Sequence, residues 1–148
     1  MAATITIQHA AKGAPSAAML RKWVRAALGR TSGELTLRIV GPGESRTLNR
    51  RYRRKDKPTN VLSFQYGTTV PGRARVLGDI VVCAAVVNRE AREQGKRPAA
   101  HWAHMVVHGV LHLLGLDHIE AADARVMEGR ERAILARLSF PDPYQPRS

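Results

Sequence analysis

The sequence predicts an α+β fold, one mixed four-stranded sheet packed with helices around a central metal-binding helix. Three observations point there. Short stretches of alternating apolar and polar residues (period two) are interleaved with stretches of helical period in the first half, giving the order βαβαββααα. The last third holds only helical periodicity. One of those helical stretches is apolar almost all round apart from a row of histidines, so it must lie buried rather than on a surface.

Taken in order, Thr4 to Gln8 alternates and reads as a strand. Pro15 to Leu28, with Met19, Leu20, Trp23, Val24 and Leu28 at helical spacing, reads as an amphipathic helix ended by Gly29. Glu34 to Val40 alternates again and stops at Gly41-Pro42-Gly43. Glu44 to Tyr52 forms a short helix with Leu48 and Tyr52 facing the core. Asn60 to Phe64 is a third strand, Thr68 to Ala74 a loop, and Leu77 to Cys83 a fourth strand. Ala84 to Gln94 is a helix stopped by Gly95. Pro98 suits the first turn of the next helix, which runs to Leu114. Ala121 to Leu138 is the last helix, and the proline-rich tail 141–148 is expected to be extended. At 148 residues the chain reads as a single domain, 1–148, able to bury about two-thirds of its unfolded surface.

Composition narrows the function. No run of eighteen apolar residues is present, so no membrane span or membrane partner is expected, and the N-terminus lacks the basic-then-apolar pattern of a secretory signal. One cysteine, Cys83, set among Val81, Val82 and Ala84, cannot form an internal disulfide and reads as a buried inert thiol, in keeping with a cytoplasmic location. The formal net charge of +12 opposes compaction and is most simply explained by attraction to a polyanion. Much of it is concentrated: Arg46, Arg50, Arg51, Arg53, Arg54, Lys55 and Lys57 face a single acid, Asp56. Arginine suits phosphate because its planar fork donates two hydrogen bonds at once.

The histidines carry the chemistry. His108 and His112 are four apart, hence on one helix face a turn apart. Gly115 can end the helix and reverse the chain, bringing His118 back as a third ligand. The spacing H-x-x-x-H-x-x-G-x-x-H matches the metzincin metal site, except that Gly109 stands where those proteases carry their general-base glutamate. Three imidazoles leave one position of a zinc ion open, the pattern of catalytic rather than structural sites. His104 and His108 form a competing pair at the same spacing, but the turn at Gly115 favours His108 and His112. His104 then reads as a residue behind the ligands or in the core, and His101 as a surface residue. Asp117 either orients a ligand imidazole or caps the turn. Asp79 reads as the cap of its strand, with a place near the site as the alternative.

The stretch His108-Gly109-Val110-Leu111-His112-Leu113-Leu114-Gly115-Leu116-Asp117-His118 resembles the signature H-G-x-L-H-L-x-G-x-D-H of the YbeY-type bacterial endoribonucleases. Leu48-Asn49 and Tyr52 to Phe64 resemble that family's second block, and Leu77 to Ile80 its third, so the likeness runs from about Leu35 to Leu138. Gln65 stands where the family often has proline, and Asn60 where many members have aspartate. The resemblance implies a metal-dependent, single-strand-specific endoribonuclease of the cytoplasm. Its expected partners are single-stranded RNA, ribosomal RNA and the small ribosomal subunit, in 16S RNA 3′-end maturation and ribosome quality control. One zinc ion per chain would be held by His108, His112 and His118. Arg53, which matches the arginine of Tyr-Arg-x-x-Asp, would serve catalysis, with Arg50, Arg51, Arg54, Lys55 and Lys57 holding the RNA backbone. The rival is a non-catalytic RNA-binding assembly factor whose metal is structural; a peptide hydrolase is disfavoured by Gly109 and by the charge. Whether water or the RNA 2′-hydroxyl attacks, the sequence leaves open.

Overall fold

The computed structural model describes residues 3–66, 75–116 and 121–145, with backbone alone at 121 and 122. The elements run β1 (Thr4–His9), α1 (Ala17–Leu28), β2 (Glu34–Val40), α2 (Pro42–Arg53), β3 (Val61–Gln65), β4 (Val76–Cys83), α3 (Ala84–Glu93), α4 (Pro98–Leu113) and α5 (Ala121–Arg137). The sheet order is β1-β2-β4-β3. β1, β2 and β4 are parallel, and β3 is an antiparallel edge strand on β4. The sheet is therefore mixed and four-stranded, as expected. The expected loop over 68–74 falls outside the described residues. Among the described residues no helix is long and apolar enough to cross a membrane.

Alternation along the strands assigns the two faces. Leu35, Leu37 and Ile39 of β2 and Ile80 and Val82 of β4 enter the main core with α1 and α4. α4 is buried along nearly its whole length, from His101 to Leu113. The opposite, outer face has a smaller cluster of Val40, Leu62, Val81 and Cys83, with Leu48 of α2 and Phe64 of β3 packed against it. α2 covers only part of that face.

α2 starts two residues earlier than expected, because Pro42 takes its first turn, where a missing N–H costs nothing. Its buried residues are Ser45 and Asn49. Tyr52, expected to face the core, is 56% exposed. It lies in the last turn of the helix, in a T-shaped contact with Phe64 of β3, ring centres 5.0 Å apart. The segment 141–145, expected to be extended, instead turns back: Asp142 accepts from the backbone of Tyr144, and Lys96 Nζ donates to the carbonyl of Pro143.

Candidate active site

α4 and α2 bring the site together. α4 ends as its sequence dictates: Gly115 has φ +98°, and its N–H donates to the carbonyl of His112. Packing fixes how close α4 lies to the sheet. A Cβ on Gly109 would sit 2.9 Å from Ile80 Cγ2 and 3.1 Å from Val61 Cγ2, so any side chain there would push those residues aside. Ser63 of β3 donates to the carbonyl of Gly109 at 2.8 Å, and Gln65 Nε2 donates to the carbonyl of Leu113 at 2.9 Å. Position 109 thus faces the sheet, which explains physically why no catalytic glutamate can stand there.

The basic segment is held just as definitely. Arg54 closes α2 with φ 57°, and the two buried polar residues of the helix tie down the chain that follows. Asn49 Nδ2 donates to the carbonyl of Lys57, and Ser45 Oγ both donates to the carbonyl and accepts from the N–H of Thr59. Arg46 pairs with Asp56 through two contacts of 2.7 and 2.9 Å. That uses the segment's one acid, which Arg50 also faces at longer range, and leaves Arg51, Arg53, Arg54, Lys55 and Lys57 exposed with no ion pair to a carboxylate among the described residues.

These two constructions meet at the edge strand. Arg53, Val61, Leu62, Ser63, His108 and His112 line a cavity of about 160 Å³. Arg53 and His112 also line a larger one of about 770 Å³, which lies over the outer sheet face. Of the expected site residues, Arg53, His108 and His112 are thus brought together. His118 and Asp117 lie outside the described residues. Asp79 is not at its strand's start but inside β4, facing the larger cavity and accepting from Tyr66 Oη at 2.6 Å.

Behind His108 lies a network that pattern reading missed. Glu131 of α5 is fully buried. His104 Nε2 donates to its Oε2 at 2.6 Å, Tyr144 Oη donates to its Oε1 at 2.9 Å, and His108 Nδ1 lies 3.5 Å from Oε2. Burial pushes the Glu131 carboxyl up, but the hydrogen bonds from His104 and His108 outweigh it and hold its pKa at about 2. Burial and the neighbouring Glu131 push the Tyr144 phenol up. Helical spacing contains the signal for Glu131, since Met127, Glu131, Ile134, Leu135 and Leu138 share one face. His101, expected at the surface, is buried beside Glu90 at 3.0 Å. Desolvation lowers its pKa, with Glu90 opposing.

His104, His108 and Glu131 offer ligand atoms within 4.8 Å of one another, so this group could hold a metal ion. Its 2.6 Å contact is a hydrogen bond, shorter than two ligands on one tetrahedral ion would approach. The group behaves better as support: with Nδ1 turned to Glu131, His108 presents its other nitrogen away from the carboxylate, the usual way a carboxylate orients a metal-binding imidazole. Two imidazoles a helical turn apart, one so oriented, fit a divalent ion.

A family model described as Endoribonuclease YbeY matches residues 5–139. The chain belongs to the endoribonuclease YbeY family. It is 56% identical to the endoribonuclease YbeY of Halorhodospira halophila, with 97% of each chain covered. It is 57% identical to that of Thiobacillus denitrificans, over 88% of this chain and 86% of the relative. The solution structure of TM1509 from Thermotoga maritima shares the fold, with a TM-score of 0.60 at 23% identity, covering 97% of this chain and all of the other. In this YbeY-family chain the two departures noted in the sequence have local roles. Gln65 ties β3 to α4, and Asn60 donates to Glu90 and accepts from the N–H of Val61.

Proposed function

We propose that the protein is a metal-dependent, single-strand-specific endoribonuclease acting on ribosomal RNA, in 16S RNA 3′-end maturation and ribosome quality control in the cytoplasm. The observation that carries this reading is the shared cavity: Arg53 faces His108 and His112 with no acid among its described lining residues. Such a site suits a phosphate and repels nothing about it. His108, His112 and His118 would hold one divalent ion, zinc being the choice for an all-imidazole donor set. An ion held there would supply Lewis-acid polarisation of the phosphoryl group. Arg53 would grip the scissile phosphate through two hydrogen bonds and stabilise the charge that grows on it. Arg50, Arg51, Arg54, Lys55 and Lys57 would hold the flanking backbone without reading sequence. Glu131, itself fixed by His104 and Tyr144, keeps the His108 ring in one orientation. The family membership and the free basic segment support this reading.

The decisive experiment incubates end-labelled single-stranded and duplex RNA with the purified protein, with and without a chelator. Internal cleavage of the single strand only, abolished by chelation and restored by added zinc, is expected. Tight RNA binding with no cleavage under any metal condition would overturn the enzyme and leave a non-catalytic assembly factor.

A further inference from the structure

The larger cavity has a composition unlike the smaller one beside it. Its floor is the outer sheet face, where Leu62, Phe64 and Val81 are neighbours across β3 and β4. Two exposed aromatic rings stand on it, Tyr52 at 56% and Tyr66 at 47%. Tyr66 is tied down by its bond to Asp79, and Tyr52 by a T-shaped contact with Phe64, ring centres 5.0 Å apart, and by the Arg51 guanidinium 5.5 Å from its ring centre. Exposed, immobilised aromatic rings on an open sheet face are what unstacked bases pack against in single-strand binding proteins. At about 770 Å³ the space is in the usual range for a small-molecule site, roughly 300–1,000 Å³.

Charge sorts the two spaces. The smaller cavity has Arg53 and two histidines with no acid among its described lining residues, whereas in the larger Arg53 and Arg38 are balanced by the carboxylates of Glu44 and Asp79, so it offers a phosphate no net attraction. Its polar groups are moreover already engaged. Arg38 forks onto Glu44 at 2.7 and 2.9 Å, Asp79 accepts from Tyr66, and Gln65 donates to α4. Little remains to read a base edge, while the ring surfaces remain.

We propose that this outer sheet face is a subsite for one unpaired nucleobase, that of a nucleotide flanking the scissile phosphate, stacked against Tyr52 and Tyr66. The chain of the RNA crosses the edge strand β3, with its phosphate at Arg53 on one side and its base on the other. Arg53 lines both cavities and Tyr52 precedes it in the same helical turn, so phosphate and base belong to adjoining parts of one ligand. A base in a duplex is already stacked and paired and cannot enter, which makes the subsite the origin of single-strand selectivity without sequence selectivity. The inference rests on the nuclease reading for its scissile phosphate.

The test walks an abasic nucleotide, and separately 2-aminopurine, through each position of a single-stranded RNA that the enzyme cuts at one place. Abasic substitution next to the cleaved bond is expected to lower kcat/KM by about ten- to a hundredfold at one position only. Tyr52→Ala should impose a similar loss on intact RNA and none on the abasic one, while Tyr52→Phe should keep wild-type behaviour. Because Tyr52 is exposed, its alanine variant should fold normally. Binding with chelator present gives a readout free of cleavage: 2-aminopurine at that position should change fluorescence with the wild type and not with Tyr52→Ala. A flat abasic walk, or an abasic loss that simply adds to that of Tyr52→Ala, overturns the subsite while leaving the nuclease intact. If no RNA is cut at all, the nuclease reading fails, and the 2-aminopurine signal still decides whether a base sits here.

Discussion

Replacing Arg53 by alanine removes a donor to phosphate without touching a histidine. If that donor acts chiefly as charge develops, the cleavage rate should fall about a hundred- to a thousandfold, with melting temperature and metal content unchanged. Arg53→Lys should restore little, because an ammonium cannot make the paired contact. Arg54→Ala, one residue along, should weaken RNA binding yet spare the rate at saturation; equal saturated rates in all three variants would reduce Arg53 to an ordinary backbone contact. Glu131 acts through its neighbours. Glu131→Gln keeps the shape but removes the charge that receives His104 and His108, so metal affinity, read by chelator competition, should fall about ten- to a hundredfold. At this scale the sequence was partly legible. His108 and His112 were visible because both lie on one helix and their spacing is local. The partners of Glu131 and His101 were not, because they come from other elements: spacing puts Glu131 on the buried face of α5 but cannot show that it meets His104 of α4, nor that His101 meets Glu90 of α3.

Among the elements, α4 decides the most. Its contact with β3 and β4 passes through Gly109, whose missing Cβ lets Ser63 reach the helix backbone. Gly109→Ala should therefore destabilise the protein: crowding Ile80 and Val61 costs about 1–3 kcal/mol, more than the roughly 1 kcal/mol that alanine returns in helix propensity. A denaturation midpoint at or above wild type would show that the sheet can yield there. Strands and helices were readable in order because alternation, helical spacing and Gly or Pro stops agree along most of the chain. Two departures at the level of elements are α2 and the tail, where 141–145 turns back instead of extending. The helix runs from Pro42 to Arg53 with Ser45 and Asn49 as its buried residues, and Tyr52 in its last turn stays exposed beside Arg53.

Over the whole molecule, charge and topology set the behaviour. With a formal +12, much of it on the segment held by Ser45 and Asn49, RNA affinity should fall log-linearly with salt, by roughly 0.7 log units per tenfold salt for each phosphate contacted. A flat response in a filter-binding titration would mean that the charge serves something else. The edge position of β3 has a consequence for dynamics. Both cavities have β3 as a wall; among the described residues β3 pairs with one strand alone, β4, and is tied to α4 by Val61 packing at Gly109 and by the side-chain bonds of Ser63 and Gln65. Edge strands are among the segments that open locally at a fraction of the global free energy. Opening β3 removes a wall of both cavities, so an RNA bound across it should act as a splint on that strand. Amide exchange in residues 61–65 should slow on binding, while the central β2 stays at its already protected rate.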